Sequence, residues 1–146
     1  MPKLSSNQLQ EYNDNGYVAP INIFSKNEAI EIRKEIEFIE KKYPNEIEKA
    51  GRYNAHLISP LLDQVVHNSK ILDAVQSIIG KNILVCRTTL FIKNPNENSF
   101  VSYHQDAKYI GLEPHNWVTA WVAITNADEK NGCMRMWTGS HKDNLK

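Results

Sequence analysis

Apolar positions in the first eighty residues recur at helical spacing, and those after Gly80 alternate or run together as they do in strands. Leu4-Ser5-Ser6-Asn7-Gln8-Leu9 places an N-cap serine, a capping-box glutamine three residues on, and a leucine pair that can staple the turn. A short helix is expected from there to Asn15-Gly16, where glycine supplies a left-handed stop. Tyr17 to Ile21 reads as extended. Ser25 and Glu28 form a second capping box, and Ile32, Ile36, Ile39 and Tyr43 mark one buried stripe with Glu and Lys opposite, up to Pro44. Residues 45–58 carry no clear pattern. Ser59-Pro60 and Asn68-Ser69 each open a further helix. The second has Ile71, Leu72, Val75, Ile78 and Ile79 as its stripe and Gly80 as its stop.

Beyond Gly80 the expected elements are strands over 83–92, 100–106, 117–125 and 133–137. Asn94-Pro95-Asn96 opens a loop between the first two. In the third, Val118, Ala120, Val122 and Ile124 share one face and Trp117, Thr119 and Trp121 the other. Asn131-Gly132 is a tight-turn signal before the fourth. Helices followed by antiparallel-type strands give an α+β class, with a jelly-roll or cupin-like barrel as the β part.

Composition narrows the partners rather than the fold. The 146 residues suit a single domain, and the 17 basic and 17 acidic side chains cancel. Neither nucleic acid nor an anionic membrane is an expected partner. No apolar run approaches a membrane span, and no signal-peptide pattern opens the chain. Cys86 and Cys133 are too few for a disulfide framework, so reduced thiols and a cytoplasmic home are expected. Oligomeric state is not legible.

The candidate chemistry lies at His104-Gln105-Asp106. In an extended segment, side chains two apart project from one face, so this imidazole and carboxylate can hold one metal ion and leave room for further ligands. Two histidines and a carboxylate with open positions suit non-haem Fe(II) chemistry. A hydrolytic zinc centre at His104, Asp106 and His141 is the competing metal reading, and a surface pair on a silent binding module is the other. His56 and His67 lack partners at ligand spacing, His115 after Pro114 reads as a loop-surface residue, and Arg87, Lys93 and Arg135 are strand cations able to pair with a carboxylate.

Several motifs in register carry a resemblance. His104-Gln105-Asp106-Ala107-Lys108-Tyr109, then Val118-Thr119-Ala120-Trp121-Val122-Ala123-Ile124, then Asn131 to Lys142 with Gly139-Ser140-His141-Lys142 resemble the phytanoyl-CoA dioxygenase family. Phe91-Ile92-Lys93-Asn94-Pro95 is similar to the strand before its iron motif. Thr138 departs from the family's usual proline.

The resemblance implies a double-stranded β-helix binding Fe(II) and 2-oxoglutarate, which couples decarboxylation to succinate with hydroxylation of a small organic or lipid-like substrate. His104 and Asp106 fall on the first two iron ligands. Trp121 and Leu90 fall where the family lines its cosubstrate pocket, and Gln105 falls at a position linked to cosubstrate or substrate. Related halogenases carry a small residue at the carboxylate position, so Asp106 implies hydroxylation. The family's second iron histidine and its keto-acid arginine lie well beyond the Gly139-Ser140-His141-Lys142 turn. The expectation is therefore one truncated domain over 1–146, with a helical lead-in to residue 80 and the first strands after it. Such a chain should bind Fe(II) weakly, turn over little, and expose unpaired strand edges. His141 is implied to be near the site but off the metal. Substrate choice is expected to depend on 45–58 and 107–116.

Overall fold

The computed structural model describes residues 3–47, 52–96, 98 and 100–143. Its helices start where side chains can cap them. Helix α1 (Ser6–Asn15) follows Ser5, whose hydroxyl accepts the Gln8 amide proton at 3.2 Å while Gln8 accepts that of Ser5 at 2.9 Å. Helix α2 (Lys26–Lys42) repeats the device with Ser25 and Glu28. Gly16 ends α1 at φ 84°, a conformation that costs glycine nothing.

Pro44 does not simply stop the chain. It opens a one-turn helix α3 (Pro44–Glu46), as its fixed φ and missing N–H allow at a first helical position. Tyr43, expected in the buried stripe, sits between α2 and α3 with a non-helical backbone and is exposed, Lys42 lying over its ring. Ala55–Leu57 form a 3-10 turn before α4 (Pro60–Val66), and α5 (Ser69–Ile79) runs to Gly80.

The core is small and centred on α2 and α4. Ile32, Ile39, Ile47, Ala55 and Leu62 are buried together, with Phe24, Ile36, Val65, Leu90 and Ile124 packed against them. Ser59 is buried too: its hydroxyl donates to Glu35 at 2.7 Å and accepts from the Leu62 amide, joining α2 to the start of α4. On α5 only Ala74 is buried, and the expected Ile/Leu/Val stripe is half-exposed.

The four expected strands are not formed among the described residues. The backbone over 83–92, 100–105, 117–123 and 133–137 lacks ladder pairing. The bridge that does form is isolated and antiparallel, between Tyr53 and Thr89. There the Asn54 amide donates to Thr88 O and the Leu90 amide to Arg52 O. The reason is intrinsic to strands: a helix satisfies its own backbone, whereas a strand exists only through a neighbour. The double-stranded β-helix is accordingly not displayed. Nor is Asn131-Gly132 a two-residue hairpin. Asp128 caps a 3-10 turn over Glu129–Asn131, and Gly132 leaves it at φ 74°. Burial nevertheless keeps part of the period-two pattern, since Val118, Val122 and Ile124 are half-buried while Thr119 and Trp121 are exposed. No helix among the described residues is long and apolar enough to cross a membrane.

Candidate metal centre

His104 and Asp106 are brought together. The extended segment ends at Gln105 (φ −116°, ψ 121°), and Asp106 begins the short helix α6 (Asp106–Ile110) rather than continuing a strand. His104 Nε2 and Asp106 Oδ1 stand 3.2 Å apart, both partly open to solvent. Each is steadied from its far side. His104 Nδ1–H donates to Ser102 O at 2.7 Å, which leaves the lone pair on Nε2. Thr119 donates its hydroxyl proton to Asp106 Oδ2 and accepts one from Trp117 Nε1–H at 3.2 Å, which leaves Oδ1 free. Tyr109 sets its ring against the imidazole at 5.8 Å between centroids, edge to face.

Two lone-pair atoms converging on one point repel unless a proton or a cation lies between them. Their separation suits a metal ion: two donors at about 2.1 Å and near right angles on a first-row divalent ion would lie about 3 Å apart. The pair therefore fits two adjacent positions of such an ion. Among the described residues, no group of three His, Cys, Asp or Glu side chains could hold a metal.

His141 is directed elsewhere. Its Nε2–H donates to Asn13 O at 3.0 Å, at the end of α1, so the three-donor hydrolytic centre lacks its third donor among the described residues. His56 bonds the Thr88 hydroxyl and His67 lies against Asp63. The loop carrying His115 bonds through its backbone to Trp117.

The remaining candidates are dispersed. Leu90 packs into the core. Trp121 is exposed, two residues from Thr119 along the chain. Gln105 turns its amide away from the pair, donating to Ser140 O at 2.9 Å. Arg87 lies over the Tyr53 ring, Lys93 donates to Gly132 O, and Arg135 stands 3.8 Å from Glu129. A cavity of about 470 Å³ lies elsewhere, lined by His56, Leu57, His67, Lys81 and Leu84 among others, and includes neither metal-pair residue. Thr119 and Trp117, which hold Asp106 from its far side, are the residues that motif reading passed over. The alternation that set them on one face with Trp121 was the signal.

The family model for phytanoyl-CoA dioxygenase (PhyH) matches residues 12–146. The chain belongs to this family. A probable alpha-ketoglutarate-dependent hypophosphite dioxygenase of Stutzerimonas stutzeri is 28% identical over 92% of this chain and 53% of its own length. The peroxisomal phytanoyl-CoA dioxygenase of Rattus norvegicus is 28% identical over 98% of this chain and 49% of its own. A phytanoyl-CoA dioxygenase domain-containing protein 1 homolog of Caenorhabditis briggsae is 32% identical over 62% of this chain and 32% of its own. The chain thus spans about half the length of the first two of these relatives. No solved structure matches it. Within the PhyH family, the convergent His104–Asp106 pair coincides with the segment that carries the resemblance.

Proposed function

We propose that this PhyH-family chain forms part of an Fe(II)- and 2-oxoglutarate-dependent dioxygenase that hydroxylates a small organic or lipid-like substrate. The observation that carries the reading is the convergence of His104 Nε2 and Asp106 Oδ1 at 3.2 Å, with their outer atoms already engaged. Bound Fe(II) with 2-oxoglutarate would supply oxidative decarboxylation coupled to substrate hydroxylation. The chain's own residues do the holding. His104 presents a neutral nitrogen whose tautomer the Ser102 carbonyl fixes. Asp106 presents one oxygen while Thr119 restrains the other, and it fills the position that halogenases leave vacant.

Trp121 is assigned to the cosubstrate side on the family resemblance; it is exposed and lies two residues from Thr119. Leu90 would reach a cosubstrate only from the core's edge. Tyr103 and Trp137, in edge-to-face contact at 6.3 Å and largely exposed, offer apolar surface near the pair and support an organic substrate. The remaining ligand and the arginine for the keto acid are to come from polypeptide matching the half of the relatives' length that this chain does not span.

Succinate formation from 2-oxoglutarate under air with Fe(II) tests the reading. Little turnover is expected from the 146 residues, and substantial turnover once they are joined to a segment matching the unspanned half. Asp106→Ala should abolish it. Turnover that ignores iron, or survives that substitution, rejects the reading.

A further inference from the structure

Contacts far apart in sequence link the metal pair to the end of the first helix. The last carbonyls of any helix lack intrahelical partners. In α1 two of them are taken by the segment around 138–142: the Gly139 amide donates to Asn15 O at 2.9 Å, and His141 Nε2–H donates to Asn13 O at 3.0 Å. Tyr17 and Thr138 share a hydroxyl contact at 3.4 Å, and Lys142 stands 3.9 Å from Asp14. Gly16 lies flat against His141; a Cβ there would stand 2.5 Å from the ring nitrogen. The end of α1 therefore fixes where the 138–142 turn sits.

The same turn faces the metal pair from behind. Gln105 Nε2 donates to Ser140 O at 2.9 Å and reaches Asp143 O at 3.4 Å. Gln105 has an extended backbone, and its amide bonds the 140–143 turn while its neighbours His104 and Asp106 converge on each other. Holding that amide on one side sets the rotation of the backbone that aims both donors on the other.

We propose that Gln105 is a positioning residue for the metal pair rather than a cosubstrate contact. Its amide, anchored to the Ser140 carbonyl, and His141, anchored to α1, form one tether that presets His104 and Asp106. This rests on the reading of that pair as a metal centre, and the test separates the two.

Mn(II) is the probe, titrated into the 146-residue chain and read as paramagnetic broadening of the amide signals around residue 104. That readout works even for weak binding. Asp106→Ala should remove the site-centred broadening. Gln105→Met, similar in size but without a donor, should weaken Mn(II) binding about tenfold, the range seen when a ligand's outer partner is lost. Helical circular dichroism should be unchanged. His141→Ala should weaken it comparably, and the double substitution should be no worse than either alone, because each breaks the same link. Should Gln105→Met fail to fold, His141→Ala against Asp106→Ala carries the comparison.

Parent-like affinity in Gln105→Met, while Asp106→Ala still loses the ion, overturns the tether and leaves the metal pair standing. Effects that simply multiply in the double variant also overturn it. Absence of site-centred broadening in the parent overturns the metal reading and the tether together.

Discussion

The hydroxyl of Thr119 stands between two hydrogen bonds, accepting from Trp117 Nε1–H and donating to Asp106 Oδ2. A carboxylate held at one oxygen has lost the rotation that would otherwise swing its second oxygen away from His104 Nε2. Replacing Thr119 by valine keeps the shape and removes the donor, so divalent-metal affinity should fall about 10- to 100-fold with helix content intact. Isothermal titration with Mn(II) checks this, and unchanged affinity would show that Thr119 plays no part in presenting Asp106. A second residue carries a pH signature. The Ser25 amide, donating to the Glu28 carboxylate at 2.7 Å, holds that carboxyl below its usual value, with the Ser25 hydroxyl adding to the effect. A depressed folded-state pKa means the contribution is present above the unfolded value, about 4.3, and is lost as pH falls through the folded one. The start of α2 should therefore loosen only in acid. The Ser25 amide resonance should report the transition, and Glu28→Gln should erase it.

Helix α2 is the element on which the core is assembled, and its two faces should respond differently to truncation. Ile39 is 5% exposed among Ile32, Ile47 and Leu62, whereas its neighbour Phe38 is 54% exposed. Ile39→Ala should cost about 2–5 kcal/mol, and Phe38→Ala, despite losing more atoms, about 0.5 kcal/mol or less. Urea unfolding compares them directly; equal losses would mean that the stripe is not the packing face. That stripe was readable because helical order is local: Ser25, Glu28 and the isoleucine spacing specify it within a few turns. The His104–Asp106 pair was readable for the same reason, being separated by a single residue. Strand pairing was not, since 83–92 and 117–125 read as strands by composition while the partners that would make them so are set by distant sequence. Gln105 illustrates the limit within the site. Its neighbours carry the candidate motif, but only the folded chain shows its amide meeting Ser140, thirty-five residues on.

At the scale of the whole molecule, burial is lopsided. The buried cluster draws on residues 32–62, while Leu84, Phe91, Phe100, Tyr109 and Trp137 remain 63–90% exposed. Single exposed leucines are ordinary, but many large apolar side chains along a part of the chain that lacks ladder pairing are not. Such a stretch offers both apolar surface and open backbone hydrogen-bonding groups, the combination that drives edge-to-edge association. The chain by itself should sediment as species larger than a monomer as its concentration rises from micromolar toward millimolar, and should bind a hydrophobic dye. Phe100→Lys combined with Trp137→Lys should reduce both effects while leaving the melting temperature of the helical part nearly unchanged, because neither residue belongs to the buried cluster. A chain that stays monomeric and dark to the dye over that range would show that these side chains are covered in solution. The same pair of substitutions would then lower the melting temperature, since charges would be entering a packed interior rather than replacing surface.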